Sequence, residues 1–160
     1  MGVEDFRIDI RTSADVATAV AAVLAMAGVH GDMEAAPVPH YRYARFEDTN
    51  HIVELEIGGD AEASISVRFA LCQPSTIDPV FVELVGRVAR AANGSVIIAE
   101  DVLFDDVDTE KPFEPPRWEG LGDVIARCIR VRRAQWEGEF GTETARLSCK
   151  GALERYILSR

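Results

Sequence analysis

The sequence predicts an α+β fold: an antiparallel or mixed sheet of about five strands with helices packed on one face, in the order β-α-β-β-β-α-β-α-α. Three observations carry that expectation. Short stretches alternate apolar and polar residues with a period of two, longer stretches repeat their apolar residues at helical spacing, and clusters of Gly, Asn and Pro separate the two kinds. At 160 residues and 48% hydrophobic content the chain can bury one substantial core, whereas two cores would each be thin, so residues 1–160 are read as a single globular domain.

Phe6, Ile8 and Ile10 alternate with Arg7 and Asp9, which puts the apolar side chains on one face of a first strand. Thr12-Ser13-Ala14-Asp15 has the spacing of a capping box. Val16, Val20, Val23, Leu24 and Ala27 then recur at helical intervals as far as Gly28, predicting the first helix. Residues 29–40 contain Gly31, Pro37 and Pro39 without periodicity and read as a connecting loop. Tyr41 to Phe46 and Val53 to Ile57 are the next two strands. Gly58-Gly59-Asp60 offers the positive φ of a tight hairpin leading into Ile65, Val67, Phe69 and Leu71, a fourth strand.

Ser75 or Thr76 is positioned to cap a second helix, whose buried stripe is Ile77, Phe81, Leu84, Val85 and Val88 and which stops before Asn93-Gly94. Ser95 to Ala99 is nearly continuous in apolar character, as in a strand covered on both faces or lying centrally in the sheet. The stretch from Glu100 to Pro116 is acidic and proline-rich, and reads as a surface loop. From Trp118 onward, Leu121, Ile125, Cys128, Ile129, Trp136 and Phe140 define a long third helix that ends near Gly141. Leu147, Leu153, Tyr156 and Ile157 supply a last one, interrupted by Gly151.

The formal charge is −10, the isoelectric point is near 4.7, and the charge is uneven along the chain. Residues 1–110 carry 20 acids against 7 bases, whereas residues 111–160 carry 7 against 10. A field of that sign opposes binding to nucleic acid or to an anionic membrane and favours a basic partner. The longest apolar stretch, Val16 to Val29, has fourteen residues, short of the ~20 needed to cross a bilayer. The acidic start Glu4-Asp5 lacks the basic n-region of a secretion signal. A cytoplasmic protein is expected. Cys72, Cys128 and Cys149 are too few and too widely spaced for a disulfide framework or a zinc knuckle, and read as reduced thiols.

No recognised catalytic or cofactor motif is present, neither a G-x-S-x-G elbow, a G-x-x-x-x-G-K-[ST] loop nor an H-E-x-x-H pair. Gly120-Leu121-Gly122 follows a proline-rich stretch instead of a strand, so it does not carry a dinucleotide. Asp106-Val107-Asp108-Thr109-Glu110 begins like a calcium loop, but Lys111 and Arg117 stand where glycine and the bidentate glutamate belong. His30, His40 and His51 have no metal-ligand spacing and are expected to be solvated or hydrogen-bonded within the fold. Neither a cofactor nor a metal is therefore expected. Cys72 precedes a helix N-terminus, where a thiol is acidified, yet no histidine pairs with it in sequence and packing is its expected role. Arg127, Arg130, Arg132 and Arg133 form the one dense basic cluster, and some of them are expected to pair with acids of the same domain.

Glu100, Asp101, Asp105, Asp106, Asp108 and Glu110, together with the net charge, give the chain a compositional character that resembles the bacterial toxin-immunity proteins. The resemblance implies a non-catalytic protein that binds and neutralises a basic toxin, with those six acids as the partner-binding residues and with electrostatically steered, salt-sensitive association. An alternative is a small enzyme or ligand-binding domain whose site is assembled from separated residues such as His40, Tyr43, His51, Arg68 and Cys72. A homodimer joined through the last two helices is a third.

Overall fold

A computed structural model describes residues 5–32, 41–98 and 113–140. Among these described residues nine elements follow one another: β1 (Asp5–Arg11), α1 (Val16–Leu24), β2 (Val29–Asp32), β3 (Tyr41–Glu47), β4 (Ile52–Gly58), β5 (Ser64–Ala70), α2 (Ile77–Ala91), β6 (Ser95–Ile97) and α3 (Leu121–Phe140). The strands form one six-stranded sheet in the order β2-β3-β4-β5-β1-β6, and every neighbouring pair is antiparallel.

Register explains why the helices lie on one face. Ile8 is opposite Val67, which is opposite Leu55, which is opposite Ala44, so the apolar residues of four strands form continuous rows on one side. All four are buried. The alternate residues make the other side polar, with Arg7, Arg68, Glu54 and Arg45 in a single row across the sheet. Ile77, Phe81, Leu84, Val85, Val88 and Ala89 of α2 join the apolar rows in one core, together with Leu121, Ile125, Cys128 and Ile129 of α3. Phe6, Phe69 and Phe81 meet there with ring centroids 4.7 to 5.9 Å apart, a spacing at which aromatic pairs attract beyond their area burial.

Several local expectations change. Residues 29–32 form β2, a strand that extends the sheet beyond the five expected. It is short, and its Gly31 lies under α1, where an added Cβ would come 2.9 Å from Leu24. Helix α1 is capped by Asp15, whose carboxylate accepts from the Thr18 N–H at 2.8 Å. Thr12 does not serve as a cap. Its buried hydroxyl donates to the Ala92 carbonyl (2.7 Å) and accepts from the Ala14 N–H (3.1 Å), joining the end of β1 to the end of α2. Strand β6 lies at the sheet edge and not centrally, because it pairs with β1 alone apart from a bridge between Val96 and Phe113.

The connection from β4 to β5 spans Gly59 to Ala63, longer than a tight hairpin turn, since Gly58 pairs with Ser64. Gly59 adopts φ +136°, and a Cβ there would collide with the Glu62 carbonyl oxygen, so the glycine is required as expected. Helix α3 begins at Leu121, three residues after Trp118, whose indole N–H donates to the Gly94 carbonyl. Among the described residues no helix is long and apolar enough to cross a membrane. The last helix expected beyond Gly141 lies outside the described residues, as does Cys149.

Candidate functional site

The turn between β3 and β4 is built on Asp48. Its Oδ1 accepts from the backbone N–H groups of Asn50 and His51, both at 2.8 Å, the local closure that makes Asp a turn former. The same carboxylate reaches the His51 ring, with both oxygens 2.9 Å from Nδ1. On its other side, His51 Nε2 lies 2.9 Å from Oγ1 of Thr76, at the start of α2. A carboxylate at neutral pH only accepts, so Nδ1 carries the proton that faces Asp48. In the neutral ring Nε2 is then the acceptor, and the Thr76 hydroxyl donates to it. Carboxylate, imidazole and hydroxyl thus form a linear relay.

Burial differs along the relay: His51 is 8% exposed, whereas Thr76 is open to solvent. Partial burial opposes ionisation of Asp48, but the hydrogen bonds from the His51 ring and from the Asn50 and His51 N–H groups outweigh it and hold the carboxyl below its ordinary range. The neighbourhood is braced by Gln73. Its buried side chain accepts from the Ile52 N–H (2.9 Å) and donates to the Ile52 carbonyl (2.6 Å), satisfying both backbone groups at the start of β4.

Arg133 fixes the same connection from α3. Its guanidinium binds Asp78 through Nε and Nη2 (3.2 and 2.6 Å), donates to the carbonyls of Leu71 and Gln73, and stacks 5.5 Å above the Phe69 ring. One member of the basic cluster is therefore an internal tie, as pairing within the domain required. Arg130 is exposed.

Of the five scattered residues considered for an assembled site, two are linked through their chain neighbours. His51 and Cys72 each precede one member of the bonded Ile52–Gln73 pair. Cys72 is half-buried and packs against the core. Tyr43 and Arg68 belong instead to the polar face of the sheet, where Arg68 binds Glu54 at 2.9 Å. His40 lies outside the described residues. His30 is exposed on β2. Among the described residues no three His, Cys, Asp or Glu side chains converge as a metal site.

Sequence reading missed Asp48 and Thr76, the two partners of His51. The first hides in an ordinary polar turn, and the second had an equally good explanation as a helix cap. Thr76 occupies that capping position without making the capping bond.

The acids Glu100, Asp101, Asp105, Asp106, Asp108 and Glu110 lie outside the described residues. Their flanks do not. Val96 and Phe113 exchange two backbone hydrogen bonds, of 2.8 and 3.2 Å, at the sheet edge, and these two residues bracket the acids in the sequence. No protein-family model matches this chain, and neither a curated protein nor a solved structure does, so the case for a function rests on the residues themselves.

Proposed function

We propose that this chain is a protein-binding domain of the immunity type, which neutralises a basic partner through Glu100, Asp101, Asp105, Asp106, Asp108 and Glu110. The observation that carries the reading is the paired bond between Val96 and Phe113 at the sheet edge, two residues that bracket all six acids in the sequence. Six acids fall within residues 100–110 of the sequence, and the summed potential of acids so close in the chain attracts a basic surface more strongly than separated acids would.

The polar face of the sheet supports the same reading by being largely self-neutralised. Arg7 pairs with Asp9, Arg45 with Glu47, and Arg68 with Glu54. Charges already paired with one another add little to attraction at a distance, which leaves the acid excess of the chain to elements other than this face.

Paired affinity captures test the proposal, one with the native chain and one with a variant carrying Asn or Gln at all six acids. A basic protein held by the native chain at low salt, released at high salt and not held by the variant is the expected result. Recovery of the same proteins by both baits would sink it.

A further inference from the structure

The Asp48–His51–Thr76 relay has a chemistry that partner binding does not use. Asp48 fixes the His51 tautomer at Nδ1, which leaves Nε2 as a base 2.9 Å from the hydroxyl oxygen of Thr76. From this geometry we propose that Thr76 is a nucleophile toward activated acyl esters, with His51 as its general base and Asp48 as the group that orients the imidazole. The inference is independent of the acidic segment.

Exposure sets the order of events. Solvent reaches Thr76, while the imidazole behind it is buried, so an acyl donor meets the hydroxyl first. In the first half-reaction Thr76 Oγ1 bonds to the carbonyl carbon and its proton passes to His51 Nε2. The bond from that carbon to the leaving oxygen breaks, and the leaving group departs with the electron pair. The imidazolium faces the Asp48 carboxylate until Nε2 returns the proton to the leaving group or to water. In the second half-reaction water attacks the acyl-threonine, gives a proton to Nε2, and the acid leaves as Oγ1 is reprotonated.

The fold also limits the substrate class. The N–H groups of Ile77 and Asp78, which follow the nucleophile, already donate to the carbonyls of Pro74 (3.0 Å) and Ser75 (3.1 Å). They are not presented to a developing oxyanion, a role that two such donors usually share. Esters with a good leaving group need that help least, so they are the substrates, whereas amides are not.

The test is incubation of the full chain with p-nitrophenyl acetate, following p-nitrophenolate release and locating the acetyl group by peptide mapping. Background acylation of amines is small because Lys111 and Lys150 are the only lysines. We expect acetyl on Thr76, and we expect Thr76→Val to slow release about 100-fold, the lower end of a general-base contribution. His51→Gln should do the same and Thr76→Ser should retain activity. Melting temperatures of all three variants separate this from bracing, since a purely structural hydroxyl would change the melting temperature and leave release unaltered. Release by Thr76→Val at the native rate, or acetyl confined to residues other than Thr76, would overturn the proposal.

Discussion

Thr12 shows how one hydroxyl can matter more to the fold than to the helix it precedes. It is buried, it donates to the buried Ala92 carbonyl, and it accepts from the N–H of the half-buried Ala14, so the bond to Ala92 has no solvent to replace it when the hydroxyl is removed. Thr12→Val keeps the shape and strands the Ala92 carbonyl, which should cost about 1–3 kcal/mol in urea denaturation. Thr12→Ser should recover most of that loss. Asp48 makes a different kind of contribution, one that depends on pH. Its folded-state pKa is depressed, so its stabilisation is present above the ordinary carboxylate range and is lost as pH falls through the folded value. Denaturation curves from neutral pH down to about 3 should therefore show a steeper loss for the native chain than for Asp48→Asn. Parallel pH profiles for the two proteins would refute this assignment. Cys128 runs the other way, because burial pushes its thiol up and the neutral form is the one the core accepts.

At the scale of elements, the connection from β5 to α2 is held from two sides. Gln73 ties it to β4 through two hydrogen bonds, and Arg133 ties it to α3 through Asp78 and two backbone carbonyls. The Arg133 and Asp78 side chains are 15% and 20% exposed, so removal of the guanidinium leaves a largely desolvated carboxylate without its partner. Arg133→Met should cost about 2–4 kcal/mol, somewhat below the full cost of breaking a wholly buried pair. Arg133→Lys should recover only part of it, because a point charge cannot bind Asp78 through two nitrogens while it serves two carbonyls. A double-mutant cycle with Asp78→Asn measures the coupling, and additivity of the two single losses would show that the pair is not what holds the connection.

Element scale is also where sequence reading had most to work with, and where its failures have physical causes. The alternation in β1, β4 and β5 and the stripe of α2 were legible because each buries one face against a core, and burial imposes a period. Strand β2 was not, since four residues containing His30 and Gly31 carry no period, and Gly31 is small to make room for Leu24. The edge position of β6 was hidden for the opposite reason. Its apolar run resembles a central strand, whereas Val96 is covered at the outer edge by Phe113, seventeen positions along the chain. The relay was illegible except for His51: Asp48 and Thr76 are brought to it by the β3–β4 turn and by the start of α2, and no local pattern joins them.

For the molecule as a whole, the question is whether sheet and helices melt as one unit, and Phe69 is where that is decided. Its ring meets Phe6 of β1 at 5.9 Å and Phe81 of α2 at 4.7 Å, while the guanidinium from α3 lies 5.5 Å above it. Four elements thus converge on one side chain, and no packing between them survives its removal unchanged. Phe69→Ala should cost about 3–5 kcal/mol, since it deletes a fully buried ring and leaves a cavity. Phe69→Leu should cost about 1 kcal/mol if neighbours close around it. The two tryptophans, Trp118 and Trp136, flank and occupy α3, so their fluorescence reports on that helix, whereas far-ultraviolet dichroism reports on every element. If the shared core couples α3 to the sheet, the two signals should follow one transition in the native chain and shift together in Phe69→Ala. Fluorescence that changes at lower denaturant than dichroism in the native protein would mean that α3 detaches first. In that case Arg133, rather than the aromatic cluster, would set the limit of cooperativity.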